Sequence, residues 1–328
     1  MQFHSTKDAY SFNIASNLRG WYWMGYRFGD RFVKLSQNDR NSIIKKIQDI
    51  TTRNRYLFSQ QLNDENFNNI INEIIRYKPT VLRGYPDPLF FLAKFAKRHQ
   101  INDLTIPLIT TTGNILFSDV RSLIEEQFHG KIYDSYSCEG SANFFEVPAH
   151  NFYYGTMEYA ITEIMRDNSH VDFGEEGRHI TTDLHNYAMP FIRYDTQDYL
   201  VRETREINST KDLQLNAIIK ILGRDSDILI TPTGKYLIVH NFTGFFQRKE
   251  LETVKQFQVI QTNIDTILIK IVVDEYFDKK TFDFITKYWM QYIGDNMDVT
   301  IDVVDTIELS PSGKRRFLIR NSNVTLNF

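Results

Sequence analysis

The chain has 328 residues, 42% hydrophobic, 24% charged and 14% aromatic, with a net charge of −3. That composition is that of a soluble globular protein of one large or two ordinary domains, and the charge gives no case for nucleic acid or an anionic membrane surface. The single cysteine, Cys138, excludes an internal disulfide and a cysteine-rich zinc site; no signal peptide or membrane-spanning run is visible, so membrane insertion is not expected and the cytoplasm is the default compartment.

The first residues run into an aromatic segment, with Trp21, Tyr22, Trp23, Tyr26 and Phe28 close together, then a glycine turn at 25–30 and a short strand at 31–35. Residues 63–77 predict a helix, since Phe67, Ile70, Ile71, Ile74 and Ile75 recur at helical spacing, Asn63 or Asp64 can cap it, and Pro79 ends it. A strand at 81–82, a Gly/Pro turn at 84–88 and a helix at 89–98 follow. Residues 106–111 read as a strand ending in T-T-G-N, where Gly113 lets a ligand approach the backbone. Ser118 caps a helix at 119–128. Ile132, Tyr133 and Tyr136 then mark a strand that delivers Glu139 just past its carboxyl end. Such an acid is most often a solvated loop residue. In an open α/β sheet, however, ligands bind at this edge, and a carboxylate there can hold a divalent metal and through it a phosphate. Helices alternating with short apolar strands predict an α/β sheet.

After Met165 the pattern becomes strands of a smaller, mostly antiparallel unit at 179–184 and 199–201, joined by a loop at 189–198 crowded with Arg193, Asp195 and Asp198. Two readings of that loop stand: a surface salt-bridge cluster, or a carboxylate that accepts hydrogen bonds from a sugar diol. A strand at 218–222 ends in G-R-D-S-D, where the domain boundary is expected, giving domains 1–222 and 223–328. The second is predicted as a compact α+β unit: a hairpin around P-T-G, strands at 255–261 and 266–273, a helix at 281–293 and a strand at 299–304. S-P-S-G-K-R-R then forms a glycine turn presenting Lys314, which on such a turn is ordinarily just solvated.

The motifs carry more in their order than singly. T-T-G-N, D-x-Y-x-x-E-G, I-T-E-I, G-E-x-G, T-T-D-L, P-F-I-R-Y-D-T-Q-D, G-R-D-S-D and S-G-K-R-R follow one another at a spacing that resembles the acyl-adenylate-forming superfamily, the AMP-dependent synthetases and ligases. K-P-T-V-L-R-G-Y-P-D-P-L is similar to the phenylacetate–CoA ligase-like branch, which includes members found with capsule and exopolysaccharide genes. The resemblance covers nearly the whole chain. It implies that fold, with an N-terminally truncated large adenylate-binding domain and a small lid domain. It also implies attack of a small carboxylic acid on ATP to give an acyl-adenylate, with transfer to CoA or another acceptor. Surface-polymer biosynthesis is the setting it suggests, and the homodimer stays open.

By the same resemblance Glu139 would ligate Mg²⁺ on the phosphates and Tyr136 would pack on the adenine. Asp134 or the Gly113 backbone would meet the adenine's polar edge, and Asp198 would take the ribose hydroxyls with Arg224 beside it. Lys314 would bridge the carboxylate and the α-phosphate, and Asp225 and Ser226 would form the hinge. Departures from the family pattern stand beside these roles. The Ser/Thr/Gly-rich phosphate loop of relatives lies upstream of the segment that begins here at about Phe3, which points to a C-terminal fragment with impaired activity. Asn114 stands where the family usually has Glu. Ser137 and Cys138 replace a glycine and a hydroxyl residue, and Ser226 an acid. Val147 and Tyr154 occupy the region where some relatives hold a metal, leaving only His150, so no zinc is expected. A non-catalytic relative that binds a nucleotide or a partner as a scaffold is the alternative.

Overall fold

The computed structural model describes residues 4–36, 42–59, 64–116, 118–138, 142–148, 150–210, 213–224, 228–233, 236–238, 245–246, 248–293, 296–308 and 316–321. The chain divides into two compact units, Met1–Gly223 and Arg224–Phe328.

The first unit opens with helix α1 (Lys7–Trp23), started by Thr6, whose hydroxyl accepts from the Ala9 amide. Then come β1 (Phe32–Ser36), α2 (Ile43–Thr51), β2 (Asn54–Phe58), α3 (Asp64–Tyr77), β3 (Val81–Gly84), α4 (Pro86–Arg98), β4 (Leu108–Thr112), α5 (Ser118–Phe128) and β5 (Lys131–Cys138). Each helical crossover lets the next strand run the same way, and β1 to β5 pair parallel in the order β2-β1-β3-β4-β5. The chain then switches to β6 (Ala142–Glu146), β7 (Tyr153–Gly155), β8 (Ala160–Arg166), β9 (Ser169–His170), β10 (Glu176–Asp183), β11 (Tyr194–Arg202), helix α6 (Arg205–Thr210) and β12 (Ala217–Arg224). These extend the same sheet in the order β5-β6-β7-β12-β11-β10-β8-β9. The β5–β6, β6–β7, β7–β12, β10–β11, β8–β10 and β8–β9 pairs are antiparallel.

Two sequence expectations change here, and a segment left unassigned takes its form. The antiparallel strands after Met165 are not a separate unit but the continuation of one twelve-stranded sheet. Residues 194–198, read as loop, belong to β11. The N-terminal residues, given no element from sequence, form a helix as far as Trp23, with Ala9, Ser16 and Gly20 buried. Small residues dock it while its aromatics spread around the axis, so no apolar stripe at helical period marks it.

The antiparallel half bends back on itself, so that β10 and β8 touch β6. Its interior is an apolar cluster of Tyr136, Phe144, Tyr159, Ile164, Leu200 and Ile218, drawn from β5, β6, β8, β11 and β12. This brings β10 and β11 against β5, although three strands lie between β5 and β11 in the sheet order.

The second unit holds the hairpin β13 (Ile228–Ile230) and β14 (Tyr236–Ile238), then β15 (Val254–Asn263), β16 (Thr266–Val273), α7 (Lys279–Ile293), β17 (Asp298–Val303) and β18 (Leu318–Arg320). Its sheet runs β17-β16-β15-β18, antiparallel at the centre and parallel at both flanks. Val259, Ile267, Ile269 and Ile271 alternate inward from the strands, and Ile285 and Trp289 of α7 are likewise fully buried.

Candidate functional site

Strand β5 alternates, so Ile132, Asp134 and Tyr136 share one face, and all three are buried. The Asp134 carboxylate accepts from Thr111 Oγ1 at 2.5 Å and from Tyr153 OH at 3.0 Å. Its amide donates to Glu146 Oε2 (2.9 Å), which also accepts from Arg121 (2.8 Å). Burial, opposed by the Thr111 bond and reinforced by the Glu146 charge, pushes the Asp134 pKa up to about 6.

Two residues further on, Tyr136 OH donates to Asp198 Oδ2 at 2.6 Å and lies 2.9 Å from His179 Nδ1. Asp198 is 62 residues away in sequence and only 8% exposed. Burial, then the Asp198 charge, holds the Tyr136 phenol well above its ordinary pKa. His179 is fully buried, and burial outweighs the pull of Asp198 and Asp195 to lower its pKa to about 4. The ring is edge-on to Tyr136 and Phe144.

A β-bulge aims these side chains. Opposite β11, Arg178 pairs with Tyr199 and Ile180 with Asp195, so three residues, Thr196 to Asp198, stand against His179 alone. Gln197 takes up the extra length at φ 63°, in the left-handed region. Thr196 Oγ1 pins the bulge by donating to the His179 carbonyl (3.0 Å) and accepting from the Asp198 amide (3.1 Å). The crowded charges of this segment therefore separate. Arg193 pairs with Glu163 (3.0 Å), Asp195 with Arg178 (2.7 Å), and Asp198 turns inward to Tyr136.

At the end of β4, Gly113 has φ 85°, and an added Cβ would lie 2.4 Å from the Tyr85 ring, so glycine alone fits. Beside it Asn114 donates to Asp87 Oδ2 at 3.0 Å. A glutamate there would face the carboxylate of Asp87, whereas the amide complements it. Val147 and Tyr154 are buried in an apolar cluster with Phe152, and His150 stacks on Phe152. Glu139, Lys314, Asp225 and Ser226 lie outside the described residues; Arg224 closes β12, with its side chain outside them. The sites proposed from sequence thus resolve into a buried pair, Tyr136 and Asp198, with Asp134 in the middle of β5 and Gly113 just past the end of neighbouring β4. His179 and Thr196 join the pair without having been singled out. The one sequence signal for His179 is its alternation with Thr181 and Asp183 along β10, which puts it on the inward face. A shallow surface depression bordered by Glu125, His129 and Lys131 sits at the opposite, amino end of β5.

Residues 229–321 match the family model of the CapK C-terminal domain. Protein CapK of Staphylococcus aureus is 23% identical over 261 residues, 78% of this chain and 56% of its own length, so the chain spans little over half of that relative. Among solved structures, 2-hydroxyisobutyryl-CoA ligase in its postadenylation state with R3-HIB-AMP superposes with a TM-score of 0.70 at 16% identity, over 98% of this chain and 74% of that one. O-succinylbenzoate coenzyme A synthetase of Bacillus subtilis with AMP gives 0.63 at 15% identity, over 97% and 65%. The chain has the fold of the acyl-adenylate-forming ligases, and both the family model and the curated relative it matches are of CapK.

Proposed function

We propose that this chain carries the adenylate-binding and lid portions of an AMP-dependent carboxylate ligase. The observation that carries the reading is the meeting of Tyr136 and Asp198 at 2.6 Å on strands remote in sequence, within a fold whose solved relatives hold acyl-adenylates or AMP. Asp198 presents a fixed carboxylate, the group that accepts from a ribose diol. Gly113 leaves its backbone open to the polar edge of adenine. Asp134, whose two oxygens already accept from Thr111 and Tyr153, supports that strand end from behind. Glu139 offers a hard oxygen donor of the kind Mg²⁺ takes, and the ion, when bound, neutralises phosphate charge. Lys314 supplies a cation as the carboxylate meets the α-phosphate, Arg224 stands beside the ribose, and Asp225 and Ser226 are the hinge between the adenylate domain and the lid. The acyl group then passes to CoA or another nucleophile, in surface-polymer biosynthesis.

ATP–pyrophosphate exchange across a panel of carboxylic acids with Mg²⁺ tests the reaction, and calorimetric titration with AMP tests the site. Exchange that is lost in Lys314→Ala, with AMP binding lost in Asp198→Ala, is the expected result. AMP binding without exchange for any acid would favour a nucleotide-binding scaffold, and no AMP binding would remove the reading.

A further inference from the structure

The Tyr136 hydroxyl has a single proton to give, and it lies between two partners, Asp198 Oδ2 at 2.6 Å and His179 Nδ1 at 2.9 Å. A carboxylate can only accept, so the phenol proton goes to Asp198 and the other bond must be donated by His179. The imidazole is therefore the Nδ1–H tautomer, with a bare lone pair at Nε2. The other face of the ring agrees: His179 Nε2 is buried with no partner among the described residues. A buried lone pair without a donor is tolerated better than a buried N–H without an acceptor. Depression of the ring's pKa to about 4 keeps it neutral near pH 7. The bulge serves the same end, because Thr196 ties the His179 carbonyl to the Asp198 amide and so fixes both ends of the chain of bonds.

We infer that His179 is a positioning residue for sugar recognition: through Tyr136 it orients Asp198 as the acceptor of the ribose hydroxyls of a bound adenylate. The inference rests on the nucleotide reading above. Both donors, Nδ1–H and O–H, point toward the Asp198 carboxylate, which fixes it in one orientation, and successive bonds polarise one another. The role is selective. His179 touches neither base nor phosphate in this scheme, so its loss should be felt only by ligands that carry the diol.

The test is calorimetric titration of the 328-residue chain with AMP and with 2′,3′-dideoxy-AMP, together with ¹⁵N NMR of the imidazoles in the free protein. His179→Leu removes the donor; His179→Gln keeps an N–H. The expected result is a preference for AMP over the dideoxy nucleotide that falls by about fivefold to tenfold in His179→Leu, with dideoxy affinity unchanged, and recovers in His179→Gln. The free protein should show a neutral Nδ1–H ring for His179, a readout that needs no variant to fold. An Nε2–H ring, an unchanged preference in His179→Leu, or equal weakening of both nucleotides would overturn the role of His179 while leaving nucleotide binding intact. A wild-type chain that binds neither nucleotide, or both equally, would instead remove the ribose assignment of Asp198, and the inference with it.

Discussion

Two residues at the candidate site have left-handed backbones with opposite consequences for substitution. Gly113 is the first, with φ 85° and the Tyr85 ring 2.4 Å from where a Cβ would stand. Gly113→Ala should cost about 2–4 kcal/mol, combining left-handed strain with overpacking. Urea denaturation checks it, and adding Tyr85→Ala should restore only the steric part. An alanine variant as stable as the wild type would mean that the strand end relaxes freely. Gln197 is the opposite case, a non-glycine residue at φ 63° in the bulge. Gln197→Gly should stabilise by up to about 1 kcal/mol, since relief of strain exceeds the extra chain entropy. A loss of stability would show that the Gln197 side chain holds the bulge. At this scale the sequence was partly legible. Asp198 stood out as an acid in a crowded segment, whereas Tyr136 read only as a strand residue and took a role through the family resemblance. His179 did not stand out, because an inward histidine on an alternating strand looks like any other core position until the bonds at its Nδ1 are visible.

Among the elements, legibility followed the hydrophobic period. Helix α3 was readable because Phe67, Ile70, Ile71 and Ile74 both recur at helical spacing and face the core. Strand β11 was readable only at its far end, since the bulge at Thr196–Asp198 breaks the alternation that marks a strand. Helix α1 had no stripe to read. Its docking rests on Ser16, which takes a hydrogen bond from Asn143 and meets Thr156 at 2.8 Å, and on Gly20, over which the Phe145 ring lies so closely that a Cβ would stand 2.2 Å away. Gly20→Ala should therefore lift the helix from β6 and destabilise the first unit, despite the better helix propensity of alanine, by about 1–3 kcal/mol. Thr6→Ala removes only the cap and should cost about 1 kcal/mol. Thermal unfolding followed by circular dichroism ranks them; a Gly20→Ala variant more stable than Thr6→Ala would mean that propensity outweighs packing here.

For the molecule as a whole, the division at Gly223 separates two cores, and in the first of them two buried groups are shifted with opposite signs of pH dependence. His179 has its pKa depressed from 6.5 to about 4, so the stability it contributes is present above about pH 6.5 and is lost as the pH falls toward 4. Asp134 has its pKa raised from 3.8 to about 6, so its contribution is present below about pH 4 and is lost as the pH rises through 6. The two shifts are opposite in sign and both are caused chiefly by burial. Between pH 4 and pH 6 the two slopes run against each other, and the wild-type chain carries little net dependence from this pair. Removing either one exposes the other. Relative to wild type, His179→Gln should gain stability as the pH is lowered from 6.5 to 4.5, because only the Asp134 slope remains. Asp134→Asn should lose stability over the same range, because only the His179 slope remains. The comparison with wild type cancels the surface carboxylates common to all three proteins. Urea unfolding at pH 4.5, 5.5, 6.5 and 7.5 measures the divergence. Parallel profiles for the three proteins would mean that neither group titrates differently in the folded and unfolded chains, and the buried polar interior around β5 would then be far wetter than its packing implies.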